Sequence, residues 1–252
     1  DKAILIEQGR ISSIVPGNDE SIKNGFLCAG FIDLQLYGGG ERLFSIQPTM
    51  DAIQSTFEEH IKTGTVAFQI TLNCSPKNTI SQAIQACKNY HGKGLVGLHL
   101  EGPFFNPIRR GAHQKEFVQM PDMAFIESLI METDGFPTYM TMAPEMFESD
   151  VLERLMDSPI MLSIGHSDAS FEQASAAINK GIHRITHLFN AMSQWQSRAL
   201  GIVGASFSSD AWTSIIVDGQ HCDFESVKLA KKLKGDRLFL ITDAVTNDVS
   251  GP

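Results

Sequence analysis

Leu95-Val96-Gly97-Leu98-His99-Leu100-Glu101 is a short apolar run that ends in a carboxylate, and its reading decides the fold. Residues 95–100 have the length and continuity of a strand buried on both faces, as in a parallel sheet, and Glu101-Gly102-Pro103 ends it. Working outward, similar runs occur near residues 31–36, 66–72, 137–142, 160–164, 184–188, 213–217 and 238–241. Segments of helical period separate most of them, at 50–62, 77–91, 121–132, 150–156, 171–180 and 223–234. Ser170 and Pro121-Asp122 are helix-start signals, and Gly64, Gly181 and Gly235 stand where helices should stop.

This alternation builds βαβ units, and eight strands is the number that closes a (β/α)8 barrel with its catalytic groups at the strands' C-terminal ends. Just past the eight runs stand Gln35, Asn73, Glu101, Glu145, His166, His187, Asp218 followed by His221, and Asp243. Ionisable and polar groups therefore recur where the barrel mouth should be. A doubly wound open sheet, the main rival, calls for a GxGxxG turn after a strand, and the sequence has none. The expected fold is α/β: a (β/α)8 TIM-like barrel over residues 28–252. Residues 1–27 read differently. Mostly apolar residues 3–7 and 11–15 flank Gln8-Gly9-Arg10, and Pro16-Gly17-Asn18 follows, which is the hairpin punctuation of a small β module.

A 42% hydrophobic content supplies a large core. The net charge is −9, and no Lys/Arg run exceeds Arg109-Arg110 and Lys231-Lys232. Nucleic acid and anionic membranes, which need a wide basic face, are thus not expected partners. A small anionic ligand stays compatible, because a few local cations outweigh a distant negative field. Cys28, Cys74, Cys87 and Cys222 are scattered without a CxxC pair, and read as reduced thiols of a cytoplasmic protein. No apolar run reaches the length of a membrane span, and no signal peptide is visible.

The strand ends carry the chemistry. Glu101, His166 in Ser163-Ile164-Gly165-His166-Ser167-Asp168, and His187 in Thr186-His187-Leu188-Phe189-Asn190 stand at matching heights on three strands. One carboxylate and two imidazoles make the open three-ligand set of a catalytic divalent cation, whereas a structural site would want four protein ligands. Taken singly, a salt-bridged carboxylate or a core histidine explains each residue; three at one height point to one ion. Asp243, in Phe239-Leu240-Ile241-Thr242-Asp243-Ala244, ends the last strand with a carboxylate aimed into the same mouth. It suits the base that takes a proton from metal-activated water, with a turn-capping aspartate as the alternative.

Six segments occur in order: Gly30-Phe31-Ile32-Asp33, His99-Leu100-Glu101-Gly102-Pro103, Gly165-His166-Ser167-Asp168-Ala169, Thr186-His187-Leu188-Phe189-Asn190-Ala191-Met192, Asp218-Gly219-Gln220-His221 and Thr242-Asp243-Ala244. Together they resemble the N-acetylglucosamine-6-phosphate deacetylase family of the amidohydrolase superfamily, from about residue 1 to the end. The resemblance implies hydrolysis of the sugar acetamide to glucosamine 6-phosphate and acetate. It implies Glu101, His166 and His187 as metal ligands, Asp243 as catalytic acid/base, and His113 as the group that helps polarise the amide carbonyl. It also implies that Ala112, His113, Asn190 and Ala191 line the sugar phosphate, and that Arg198 and His221 clamp its 6-phosphate, with Arg198 reaching in from the neighbouring subunit of a homodimer. A guanidinium beside an imidazole suits a phosphate dianion, while a solvated loop charge or surface histidine is the alternative for each.

The expected cofactor is one divalent ion, zinc first, with iron, cobalt or manganese compatible with the same donors. Asp33-Leu34-Gln35-Leu36-Tyr37 stands where many amidohydrolases carry an HxH pair, so a second ion is not expected. The resemblance also implies that residues 1–27 are part of a small β-sandwich domain, whose remainder, with a last barrel helix, is expected beyond Pro252. A deacetylase for the galactosamine epimer and a non-catalytic sugar-phosphate-binding relative are the alternatives. His60, His91 and His183 read as surface groups, Trp195 as a loop residue beside the phosphate site, and Glu145 as a mouth-facing carboxylate without a role.

Overall fold

The computed structural model describes residues 2–17 and 28–246; residues 18–27 of the expected sandwich segment and 247–252 of the expected barrel segment lie outside the described residues. The chain divides into two units at Gly30. In the first, β1 (Lys2–Glu7) pairs antiparallel with β2 (Arg10–Pro16). Gln8 and Gly9 between them have φ of 51° and 73°, the left-handed pair that matches a hairpin turn to strand twist.

The second unit opens with β3 (Phe31–Leu36) and a small hairpin of β4 (Gly38–Gly39) and β5 (Arg42–Leu43). It then alternates through α1 (Met50–His60), β6 (Thr65–Leu72), α2 (Lys77–Asn89), β7 (Leu95–Glu101), α3 (Met123–Thr133) and β8 (Thr138–Met142). It continues through α4 (Ser149–Met156), β9 (Met161–Ile164), α5 (Phe171–Lys180), β10 (Arg184–Ile185), α6 (Gly201–Phe207), β11 (Trp212–Ile216), α7 (Phe224–Lys234) and β12 (Leu238–Ile241). Eight of the strands form one parallel sheet in the order β12-β11-β10-β9-β8-β7-β6-β3.

The two edge strands meet. Asp243 N donates to Gln35 O at 3.1 Å, Tyr37 N donates to Ala244 O at 2.9 Å, and Leu36 bridges Ala244 in parallel register. Asp33, only 4% exposed, accepts hydrogen bonds from Gln35 N at 3.0 Å, Thr242 N at 3.2 Å and Thr242 Oγ1 at 2.6 Å. The sheet is thus a (β/α)8 barrel whose seam is fastened by one buried carboxylate.

Local chemistry sets the helix ends. Ser170 and Gln173 form a reciprocal capping box at α5, and Asp122 and Asp223 cap α3 and α7 by accepting from backbone N–H groups. The core between sheet and helices holds Leu36, Phe68, Ile70, Leu98, Met140, Leu162, Ile185 and Ile215, all nearly inaccessible. Below the mouth the barrel interior is polar. His99 Nε2 meets Thr141 Oγ1 at 2.7 Å, Thr141 meets Thr186 at 2.8 Å, and Thr186 meets Ser163 at 2.7 Å.

Two elements and one side chain depart from the sequence reading. β10 ends at Ile185 because the backbone turns left-handed at His187, with φ of 35°. α6 was not expected: its Gly-Ile-Val-Gly-Ala-Ser-Phe sequence is buried nearly all round and carries no polar face to reveal a period. His60 is not a free surface group, since its half-buried ring meets Gly38 O at 3.0 Å. For the seam, we expect Asp33→Ala to leave Thr242 N and Oγ1 unpaired and to lower the unfolding free energy by about 1–3 kcal/mol. Urea titration of the variant measures this, and an unchanged midpoint would show that the carboxylate is not the fastener.

Candidate active site

Three of the four ionisable groups expected at the metal and base positions are delivered by a break in regular strand geometry, and Glu101 by the strand itself. Glu101 is the last residue of β7 and is 1% exposed. His166 follows β9 after Gly165, a position where a Cβ would lie 2.6 Å from Thr141 Cγ2, so only glycine lets the chain turn there. His166, His187 and Asp243 all have left-handed backbone, with φ of 49°, 35° and 57°. Non-glycine residues hold that conformation only where their surroundings fix it, and such strain gathers at functional sites.

Three donor atoms converge. Glu101 Oε1 lies 3.3 Å from His166 Nε2 and 3.1 Å from His187 Nε2, and the two Nε2 atoms are 3.0 Å apart. Donors about 2.0–2.1 Å from a tetrahedral cation must stand about 3.3 Å from one another, so this triangle fits an ion. The His166 tautomer agrees. His166 Nδ1 donates to Arg109 O at 2.9 Å, leaving its Nε2 as a lone pair facing the cluster. His187 presents Nε2 likewise, and its Nδ1 has no hydrogen-bond partner among the described residues.

His113 also lies within ligand distance of Glu101 and His166. Its Nδ1, however, accepts from Cys74 N at 3.1 Å, so a neutral ring carries its proton on Nε2. That Nε2–H meets Glu101 Oε2 at 3.0 Å. His113 is therefore a hydrogen-bond donor to the cluster, and His187 is the better third ligand.

Electrostatics follow from burial. Burial pushes the Glu101 carboxyl up, but the surrounding imidazoles, His166 first and then His113 and His187, outweigh it and hold the group well below its usual range. Burial lowers His166 to about 4, which keeps the ring neutral and available as a ligand. For His187, burial lowers the value, while the hydrogen bond to Glu101 and its charge more than reverse that. Burial and the neighbouring Glu101 charge raise Asp243 to about 6.

Two residues matter more here than the sequence reading allows. Gln35 Nε2 lies 2.8 Å from Glu101 Oε1 and 2.6 Å from Asp243 Oδ1, so one amide ties the two carboxylates together. The buried Tyr37 hydroxyl donates to Glu101 Oε2. Their signal was their spacing, since residues two apart on a strand share a face.

The remaining expected site residues are less concentrated. Asn190 and Ala191 are half-buried beyond His187, with Ala191 left-handed at φ of 47° and its carbonyl accepting from Ser167 N. Ala112 is exposed beside His113. His221 is exposed after β11, its Nδ1 2.7 Å from Asp218 Oδ2. Hydrogen bonds from His221, Gln220 N and His221 N hold Asp218 down at about 2. Arg198 has no described contact with His221; it lines a separate cavity of about 670 Å³ with Arg109 and Asp168.

Barrel, mouth and donor set define a class of enzyme, and sequence comparison agrees. The amidohydrolase family profile matches residues 26–250, and the chain belongs to that family of metal-dependent hydrolases. Among individual proteins, the N-acetylglucosamine-6-phosphate deacetylase of Haemophilus influenzae is 34% identical over 97% of this chain and 67% of its own. An N-acetylgalactosamine-6-phosphate deacetylase of Shewanella is 33% identical over 89% of this chain and 58% of its own. The crystal structure of the Pasteurella multocida N-acetylglucosamine-6-phosphate deacetylase superposes with a TM-score of 0.86 at 33% identity, covering 97% of this chain and 67% of that one. The chain therefore spans about three fifths to two thirds of the length of these relatives.

If the triangle holds an ion, stripping it with a chelator should lower the thermal midpoint, because a ligand bound only to the native state stabilises it. His187→Ala should show no such response. Calorimetry with and without chelator tests both, and an equal chelator effect in the variant would remove His187 from the ligand set.

Proposed function

We propose that the protein hydrolyses the acetamide of N-acetylglucosamine 6-phosphate, giving glucosamine 6-phosphate and acetate. The observation that carries this reading is the convergence of Glu101 Oε1, His166 Nε2 and His187 Nε2 at 3.0–3.3 Å in one mouth with Asp243. The names of its relatives support the substrate. Glu101, His166 and His187 would hold one divalent cation, and zinc suits a carboxylate with two imidazoles. When bound, such an ion supplies Lewis acidity to a carbonyl and acidifies water. Neutral Gln35 and Tyr37, both turned onto Glu101, support a site for a single ion.

The chain's own groups do the rest. Asp243, half-buried and unprotonated, takes the proton of the attacking water as its oxygen bonds to the acetamide carbon. Asp243 then delivers that proton to the amine nitrogen as the C–N bond breaks, which avoids expelling a basic amide anion. Gln35 holds the Asp243 carboxylate toward the cluster. The Nε2–H of His113 is the donor suited to the developing oxyanion, the charge whose stabilisation is usually the largest catalytic contribution. Ala112, Asn190 and Ala191 would line the sugar phosphate.

We assign the 6-phosphate to His221 and to Arg198 of a second subunit in a homodimer, since a guanidinium with an imidazole suits a phosphate dianion. Free Cys28, Cys74, Cys87 and Cys222 support a reducing, cytoplasmic setting. The galactosamine epimer is the second candidate substrate, favoured by the Shewanella relative, and acetate release from each epimer distinguishes them.

Asp243→Asn should retain the metal yet lose about 10²- to 10⁴-fold in turnover. Since the base works ionised, turnover should fall as pH drops. Asp243 stands at about 6 without an ion, and a cation would offset the Glu101 charge, so the acid limb should lie at or below that value. A near wild-type rate in Asp243→Asn would refute the assigned base.

A further inference from the structure

Glu145 follows β8 in a single helical turn, away from the donor atoms, and its carboxylate is fully engaged by loops. Its Oε1 accepts from Asn106 Nδ2 at 3.0 Å and Asp168 N at 2.7 Å, and its Oε2 accepts from Ser167 Oγ at 2.6 Å. None of these donors belongs to its own turn. All lie on the two loops that meet at His166.

Those loops grip His166 from both sides. Asn106 N donates to His166 O at 2.9 Å, and the His166 Nδ1–H is accepted by Arg109 O at 2.9 Å. Arg109 Nε in turn donates to Asp168 at 2.7 Å. Residues 106–109 therefore fix both the backbone and the ring of His166, and Glu145 and Asp168 tie that segment to the His166 turn. The turn needs outside support because His166 sits in left-handed backbone. Phe105, stacked on the ring at 4.1 Å, fixes its plane but cannot choose which nitrogen faces the cluster.

We propose that Glu145 is a positioning residue that sets the orientation and tautomer of His166 for metal binding. The inference rests on reading His166 as a ligand. It assigns Glu145 no contact with ion or substrate. Groups that orient ligating histidines typically change metal affinity by about 10–100-fold when removed.

The test uses cobalt(II) as probe on the full chain, reading affinity by chelator competition and ligand geometry by visible absorption. Glu145→Ala should weaken binding about 10–100-fold and alter the spectrum. Glu145→Gln should restore both, because its Oε1 can accept from Asn106 and Asp168 while its Nε2 donates to Ser167 Oγ. Should Glu145→Ala not fold, Asn106→Ala and Ser167→Ala each remove one strap and should each weaken binding. Wild-type affinity and spectrum in the Glu145 or strap variants, with only a lower thermal midpoint of the metal-free protein, would overturn the proposal. His166→Ala is the separate control: it should abolish tight binding, and if it does not, the ligand assignment itself fails and the proposal with it.

Discussion

The bonds from Thr242 to Asp33, with those from Asp243 N to Gln35 O and from Tyr37 N to Ala244 O, join the first and last strands of the sheet, and the position of the mouth follows from that junction. A parallel sheet left open would expose two edges and leave β3 and β12 facing solvent. Closing it brings Gln35 against both Glu101 and Asp243. The same closure sets Tyr37 on the other oxygen of Glu101. Fold and site therefore share one fastening, made of a buried carboxylate and ordinary backbone amides.

A barrel strand presents its side chains alternately inward and outward, and none of them naturally points along the axis into the mouth. The chain meets that need by turning left-handed at His166, His187 and Asp243. Each such turn costs about 1–3 kcal/mol, which the surrounding hydrogen bonds must offset. His187 N donates to Ser214 Oγ at 2.8 Å, Asp243 N is held by Gln35 O, and His166 is gripped by residues 106–109. The result is a set of rigid donors built on strand ends, with imidazoles stacked or set edge-on against Phe105 and one another.

Much of this was legible in the sequence. The eight apolar runs read correctly as the barrel, because strands buried on both faces leave an unbroken hydrophobic signature. The strand-end rule then picked out Glu101, His166, His187 and Asp243 without coordinates. α6 escaped because a helix buried nearly all round has no amphipathic contrast. Gln35 and Tyr37 were legible as groups that do not replace an HxH pair, but their bonds to Glu101 are not, since neutral side chains announce no partner. Glu145 was visible at a strand end yet unassignable, because its meaning lies in loops whose course the sequence does not give. Arg198 and His221 have no contact among the described residues, and their expected pairing on one phosphate is untouched by the fold.

The seam also carries a consequence for how the molecule is made. Its hydrogen bonds join residues 208–209 positions apart, the span from Gln35 to Asp243 and from Asp33 to Thr242. Pairing neighbouring strands closes short loops cheaply, whereas this junction must gather nearly the whole chain, and such distant contacts form slowly. During synthesis, β3 leaves the ribosome long before its partner exists. Hydrolytic competence would then arrive no earlier than β12, however early the helices and the first seven strands of the sheet have packed.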